Sequence, residues 1–257
     1  MNGQMYQICS IVAAGKKAIQ SDDMIKYIPA NYENTITFSF LPEKQLFGLK
    51  KYTAPNVSAW FKHMKKRGLQ DIKFLCPITV KNRQLLGFSN TTESSILCFL
   101  KSGKISYFVA EWQFDSETKQ WNVLYSEHEW DSPPLEKPRF ENNIDSFKQV
   151  LSEIQSLADQ IGCKDFAHTF SCAKNLLDGA DEYPDEKYGL ALPQIPQGNL
   201  QIFEAASCAD VFGGMGSWND SPPYMAYEKG LEKEYESLSN ELLKNIRLAL
   251  LYAINEW

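Results

Sequence analysis

The run Gly213-Gly214-Met215-Gly216-Ser217-Trp218-Asn219-Asp220 has the most unusual composition in the chain. Three glycines let the backbone turn left-handed or approach another segment closely, and Trp218 followed by Asn219 and Asp220 sets an apolar face beside hydrogen-bond acceptors. Such a loop can cradle a ligand or anchor a protein contact. It is no Walker A loop, because no Lys-Ser/Thr follows, and it lacks the glycine order of a dinucleotide fold. The alternative is a connecting loop in which Trp218 packs inward and Asn219 or Asp220 begins the next turn.

Other groupings are weaker. His168 and Cys172 stand four apart on a predicted helix, the spacing at which an imidazole can activate a thiol, but equally that of two half-buried structural residues. Glu127-His128-Glu129 with Asp131 offers metal-capable side chains, yet a strand sends alternate ones to opposite faces, so no metal site is expected. The carboxylate pairs Asp181-Glu182 and Asp185-Glu186 lie in a stretch rich in acids, prolines and glycines. An exposed loop cannot push two carboxyl pKa values apart as acid–base catalysis requires. No catalytic residue and no cofactor is therefore assigned. Lys50, Lys51, Lys62, Lys65, Lys66 and Arg67, interleaved with Tyr52 and Trp60, form the strongest basic cluster, a conceivable nucleic-acid surface around residues 58–67.

Charge is laid out unevenly. Residues 1–92 hold 13 Lys+Arg and 5 Asp+Glu, whereas residues 93–257 hold 13 and 27. Carboxylates gathered on one surface repel nucleic acid and steer basic partners toward it. The leading expectation is a non-enzymatic protein-binding protein, with Trp218, Asn219 and Asp220 and the acids Asp181, Glu182, Asp185 and Glu186 as contact residues. A ligand-binding protein or enzyme with a pocket at Gly213–Asp220 beside the Trp112 and Trp121 strands is the second expectation, and the nucleic-acid module the third.

The elements that would position these residues read as α+β. Met5, Ile8, Val12 and Ile19 predict a helix ending before Asp22-Asp23. Ile36, Phe38 and Phe40 alternate as a half-buried strand does, and Asn56 or Ser58 caps a helix that stops at Gly68. Runs near 72–80, 85–88, 96–100, 105–114 and 121–125, joined by short polar turns, predict an antiparallel meander, with the first at an edge because Pro77 lacks a ladder donor. The proline-rich stretch 131–138 divides residues 1–130, a helix and sheet region, from 139–257, a helical region packed on it as one globular unit. There Asn143 would cap one helix, a second would run from about 165 to 177, residues 202–212 lean to helix, and an amphipathic helix of about 25 residues ends the chain.

Six scattered cysteines without a Cys-x-x-Cys pair suit reduced buried thiols. No run of about 18 apolar residues and no signal-like start occurs, so a cytoplasmic, non-membrane protein is expected. Finally, Val211–Asp220 together with the acidic helix containing Glu234-Tyr235-Glu236-Ser237-Leu238-Ser239 resembles the C-terminal ending of a group of uncharacterised bacterial proteins, some of them from toxin–immunity gene neighbourhoods. The resemblance covers about the last 45 residues. It implies a bacterial cytoplasmic origin and a toxin as the basic partner, and it carries over no catalytic residue.

Overall fold

The computed structural model describes residues 1–45, 48–131, 136–180 and 191–257. The chain opens with helix α1 (Gly3–Gln20), capped by Asn2, whose Oδ1 accepts from Met5 N at 2.9 Å. This satisfies one of the four helix donors that lack an internal partner. Strand β1 (Glu33–Ser39) follows and buries Ile36 and Phe38, with Phe40 just beyond it, as the alternation predicts. A short hairpin of β2 (Glu43–Gln45) and β3 (Gly48–Lys50) leads to β4 (Thr53–Ala54). Helix α2 (Val57–Lys66) is capped by the Asn56 side chain and ends before Gly68 at φ +86°, a left-handed conformation that favours glycine.

Strand β5 (Leu69–Leu75) stops short of Pro77, and β6 (Ser95–Leu100), β7 (Ile105–Asp115) and β8 (Gln120–Glu129) complete the predicted meander. Strand order is β4-β1-β8-β7-β6-β5, which places β5 at an edge. Two features depart from the sequence reading. Strand β1 pairs with β8 in parallel, with Phe38 opposite Tyr125, so the sheet is mixed rather than wholly antiparallel. Residues 83–87 form a single 3-10 turn rather than a strand, because Asn82 Oδ1 accepts from Gln84 N and Phe88 N closes on Leu85 O.

Helices α1, α2 and α7 contact the sheet, and the helical half joins it through α7. That half comprises α3 (Ile144–Gln160), α4 (Lys164–Leu177), α5 (Gln197–Ala209), α6 (Pro222–Glu228) and α7 (Glu232–Asn255). Asn143 occupies the N-cap position of α3, as expected, but its side chain makes no cap bond. Its Nδ2 instead donates to Asn245 O and Oδ1, both at 3.0 Å, tying α3 to α7, while Asn142 Oδ1 accepts from Ile144 N. One apolar core runs through both halves. In the sheet half, Phe38 stacks between Trp60 (4.7 Å) and Tyr125 (4.8 Å). In the helical half, Trp218 is enclosed by Phe166, Phe170 and Tyr235 at 5.2–5.3 Å.

Two asparagine side chains finish the sheet where strands run out. Asn255 Oδ1 accepts from Phe74 N and its Nδ2 donates to Phe74 O, each at 2.8 Å, so α7 occupies the open side of β5. Beyond Val109, strand β7 has outrun β6, and Asn90 supplies the missing partner. Its Oδ1 accepts from Trp112 N (2.7 Å) and its Nδ2 donates to Trp112 O (3.1 Å). Exposed sheet edges are templates for unwanted pairing, and both devices cover them.

Polar groups inside the core are of two kinds. Glu33 is buried but well supplied, accepting from Gln7 Nε2, Tyr27 OH and Ala30 N at 2.8–2.9 Å, while Tyr125 OH donates to Gln7 Oε1. Burial pushes the Glu33 carboxyl up, and the donors pull against that rise. Arg247 is different. It is buried on α7, and its partners are sulfurs: Met5 Sδ at 4.0 Å and the Cys76 thiol, itself pushed up to about 11 by burial. A buried cation with no carboxylate partner among the described residues carries much of its desolvation uncompensated there. Arg247→Met, which keeps an apolar stem of similar reach, should therefore raise stability by about 1–2 kcal/mol. Urea unfolding reads this directly, and a lowered midpoint would show that the guanidinium instead stabilises the α1–α7 contact.

Candidate functional site

The glycine-rich loop crosses close to the 83–87 turn, and the glycine that this crossing demands is Gly87 on the turn; within the loop, Gly216 is the residue that needs glycine, at φ +78°. A Cβ built on Gly87 would lie 2.7 Å from Gly214 N and 2.9 Å from Gly213 C, so the turn at 83–87 and the loop at 213–216 touch where only glycine fits. Past the crossing, Ser217 N donates to Gly214 O, Gly216 N donates to Asp220 Oδ2 at 2.8 Å, and Trp218 turns inward.

Trp218 is fully buried. Its Nε1 donates to Ser239 Oγ at 2.8 Å, and its carbonyl accepts from Tyr235 OH at 2.5 Å. Both polar ends of the residue are spent on α7, and no surface remains to offer a partner. The contact role read from the sequence is thereby corrected for Trp218: a large ring with a hydrogen-bonded N–H serves as the keystone of the helical half. Asn219 is half-buried and donates to Arg83 O at 3.1 Å, linking the same two loops, whereas Asp220 is exposed. Asp181, Glu182, Asp185 and Glu186 lie outside the described residues.

What the loop does expose is apolar and aromatic. Met215 is 97% exposed, and the short helix α6 immediately after it carries Tyr224 at 64% and Tyr227 at 65%. Asp220, Glu228, Glu232 and Glu234 are exposed along the same stretch of chain, with Tyr224 OH donating to Glu228 at 2.6 Å. We call this segment the ledge. Lys229 and Lys233 are the cations within it. A scan against protein-family models, a search of curated proteins and a search of solved structures found no match for the chain.

On the other side of the crossing lies a cleft of about 490 Å³ between the first turn of α1, the 86–89 turn and the sheet end where β8 begins. Tyr32, Trp112 and Trp121 line it and Phe88, 67% exposed, also lines it. The rings are not parallel: Tyr32 and Trp112 lie 6.2 Å apart at 34°, and Trp112 and Trp121 6.0 Å apart at 66°. Trp112 and Trp121 were thus read as lining residues on sequence grounds, but the glycine loop itself is absent from the lining. It reaches the cleft only by backing Gly87. Tyr32, Asn31 and Asn2 were not anticipated, because no local pattern tells that α1's start and the β1 entry meet there.

The remaining candidates resolve into structural roles or side-chain pairs. Cys172 Sγ lies 3.5 Å from His168 Nε2 on the outer side of α4, and His168 makes no carboxylate hydrogen bond among the described residues. Glu127 points inward to Arg67 at 2.6 Å, His128 stacks outward on Tyr107, and Glu129 pairs with Lys104, so the three residues do not converge. Among the described residues no group of three or more His, Cys, Asp or Glu could hold a metal ion. Trp60 is fully buried against Phe38 and has no face for a base, while Lys65 pairs with Asp22. No described helix is long and apolar enough to cross a membrane.

Three ion pairs among the described residues join a cation of residues 1–92 to an acid of 93–257: Arg67–Glu127, Lys73–Glu256 and Arg83–Glu236. They sit at the seams of the fold. The ledge carboxylates Asp220, Glu228, Glu232 and Glu234 are in no ion pair among the described residues and face solvent.

Proposed function

We propose that the protein is a non-enzymatic binding protein, and that its acidic helical half covers a basic protein surface in the manner of an immunity-type inhibitor. The observation that carries this reading is the ledge: an almost fully exposed methionine and two exposed tyrosines set among carboxylates that form no ion pair among the described residues. Exposed tyrosines flanked by charge are the usual source of affinity at protein interfaces, because a rigid ring is desolvated at little entropic cost. The carboxylates would speed encounter with a cationic surface and select against acidic ones. Resemblance of Val211–Asp220 to proteins from toxin–immunity neighbourhoods supports a toxin as the partner, since the ledge begins within that segment.

The test is co-expression with the product of the adjacent gene, followed by affinity and association-rate measurements at low and moderate salt. Tyr224→Ala with Tyr227→Ala should weaken binding by about a hundredfold or more, chiefly through faster dissociation. Glu228→Lys with Glu232→Lys should slow association and flatten its dependence on salt. All four side chains are exposed, so both variants should fold normally. A complex that ignores both double variants would remove the ledge from the interface and this reading with it.

A further inference from the structure

The aromatic cleft is a separate feature from the ledge and points to a separate ligand. Among the described residues no Asp, Glu, Lys or Arg lines it, and the Met1 ammonium at its edge donates to Ser207 O at 3.1 Å and Asp210 O at 3.4 Å. The cleft is therefore poorly matched to phosphates, carboxylates or basic peptides, whose charges would be desolvated there without a counter-ion. Its volume falls within the range of small-molecule sites.

Its polar equipment is of one kind. Asn31, Asn2, Gln4 and Ser89 line the cleft, and the Asn31 side-chain amide, Asn2 Nδ2, Gln4 Nε2 and the Ser89 hydroxyl make no hydrogen bond to the described residues. The opposite ends of two of these groups are held: Asn2 Oδ1 caps α1, and Gln4 Oε1 accepts from Asn90 N at 3.2 Å. With their oxygens held, these two amides would engage a ligand through their N–H groups at low ordering cost. Amides and a hydroxyl that donate and accept without charge match vicinal hydroxyl groups.

The rings narrow the choice further. Trp112 meets Trp121 at 66° and Tyr32 at 34°, so the aromatic wall is a corner rather than a parallel slot. A planar heterocycle can lie flat against only one face of such a corner and carries few hydroxyls for the amides. A puckered pyranose presents C–H groups, slightly positive, to the negative faces of such rings, and carries its hydroxyls around the perimeter toward the amides. We propose that this cleft binds a neutral saccharide, with Trp121 and Phe88 as the apolar contacts and Asn31 as the principal hydroxyl partner.

The experiment is calorimetric titration, with tryptophan fluorescence in parallel, using methyl β-glucopyranoside, methyl β-galactopyranoside, methyl N-acetyl-β-glucosaminide and, as the planar comparison, adenosine. At least one glycoside should saturate with a millimolar dissociation constant, as expected for a single sugar ring in an open cleft. Asn31→Ala and Phe88→Ala, both at exposed positions, should each weaken that binding about fivefold to tenfold while leaving the thermal midpoint unchanged. Saturation by adenosine alone, by none of the four, or with equal affinity in both variants would overturn the proposal. Loss of toxin binding in the ledge variants would leave the glycoside titration unaffected, so the two readings fail independently.

Discussion

Trp218→Ala should lower the unfolding free energy by about 4 kcal/mol, a large share of the stability of a marginally stable chain. The ring is fully buried among Phe166, Phe170 and Tyr235, drawn from two different helices. Removing it forfeits the transfer free energy of the largest side chain and opens a cavity that three rings cannot fill without leaving their rotamers. It also leaves the Ser239 hydroxyl without its donor. Trp218→Phe separates the contributions: most of the packing survives and the hydrogen bond does not, so a loss of about 1–2 kcal/mol is expected. Equilibrium urea unfolding of the three proteins supplies the comparison. If Trp218→Ala proved as stable as the parent, the enclosure of this side chain, and the account of the loop built on it, would be refuted.

Stability should also fall as pH rises from about 4.5 to about 7, and Glu204 should be a main cause. This residue is buried on α5, and burial raises its carboxyl pKa from 4.5 to about 7. In that interval the folded chain holds a proton that the unfolded chain has released, so stability is highest below the unfolded value and is lost as pH rises through the folded one. The full shift corresponds to about 3 kcal/mol, and residual solvent screening reduces it to about 2 kcal/mol. Neighbouring Tyr6, pushed up to about 12 by its own burial, titrates far outside this window. Glu204→Gln should abolish most of the slope, becoming more stable than the parent at pH 8 and about equal to it at pH 4. Parallel slopes in the two proteins would assign the pH dependence elsewhere, with Glu33, also raised, as the next carboxyl to replace.

The elements most legible in the sequence were those whose burial is periodic and local. Ile36, Phe38 and Phe40, the Asn56 cap with its Gly68 stop, and the long stripe from Tyr235 to Ala253 each announce one face of one element, and each lies where the pattern puts it. Errors arose where a longer-range partner decided the outcome. Leu85–Phe88 is apolar enough for a strand, but the Gly213–Gly214 backbone occupies the space beside it and the chain coils instead. Asn143 has the identity of a cap, yet α7 offers it two acceptors. Helix α6 has no counterpart in the sequence reading; it begins at Pro222-Pro223, where a proline's missing N–H has no helical partner to lose. The parallel pairing of β1 with β8 has no local signature at all.

The same division holds for function. Trp112 and Trp121 were recognisable as aromatic strand residues, but their union with Tyr32, Asn31 and Asn2 depends on α1 starting beside the β1 entry. Trp218 was the most conspicuous side chain in its loop, and it is there because the core needs it. Neighbours such as Met215, less conspicuous in the sequence, are the ones that face outward.

The reciprocal amide pairings of Asn90 with Trp112 and of Asn255 with Phe74 also set how the molecule would age. Slow hydrolysis of either amide to a carboxylate exchanges the donor nitrogen for an anionic oxygen pressed against a backbone carbonyl. The strand flank that had been sealed would then be pried open by repulsion. Chemical deterioration at two atoms, with no change in the encoded chain, would so convert a protected sheet into one able to recruit strands from other copies.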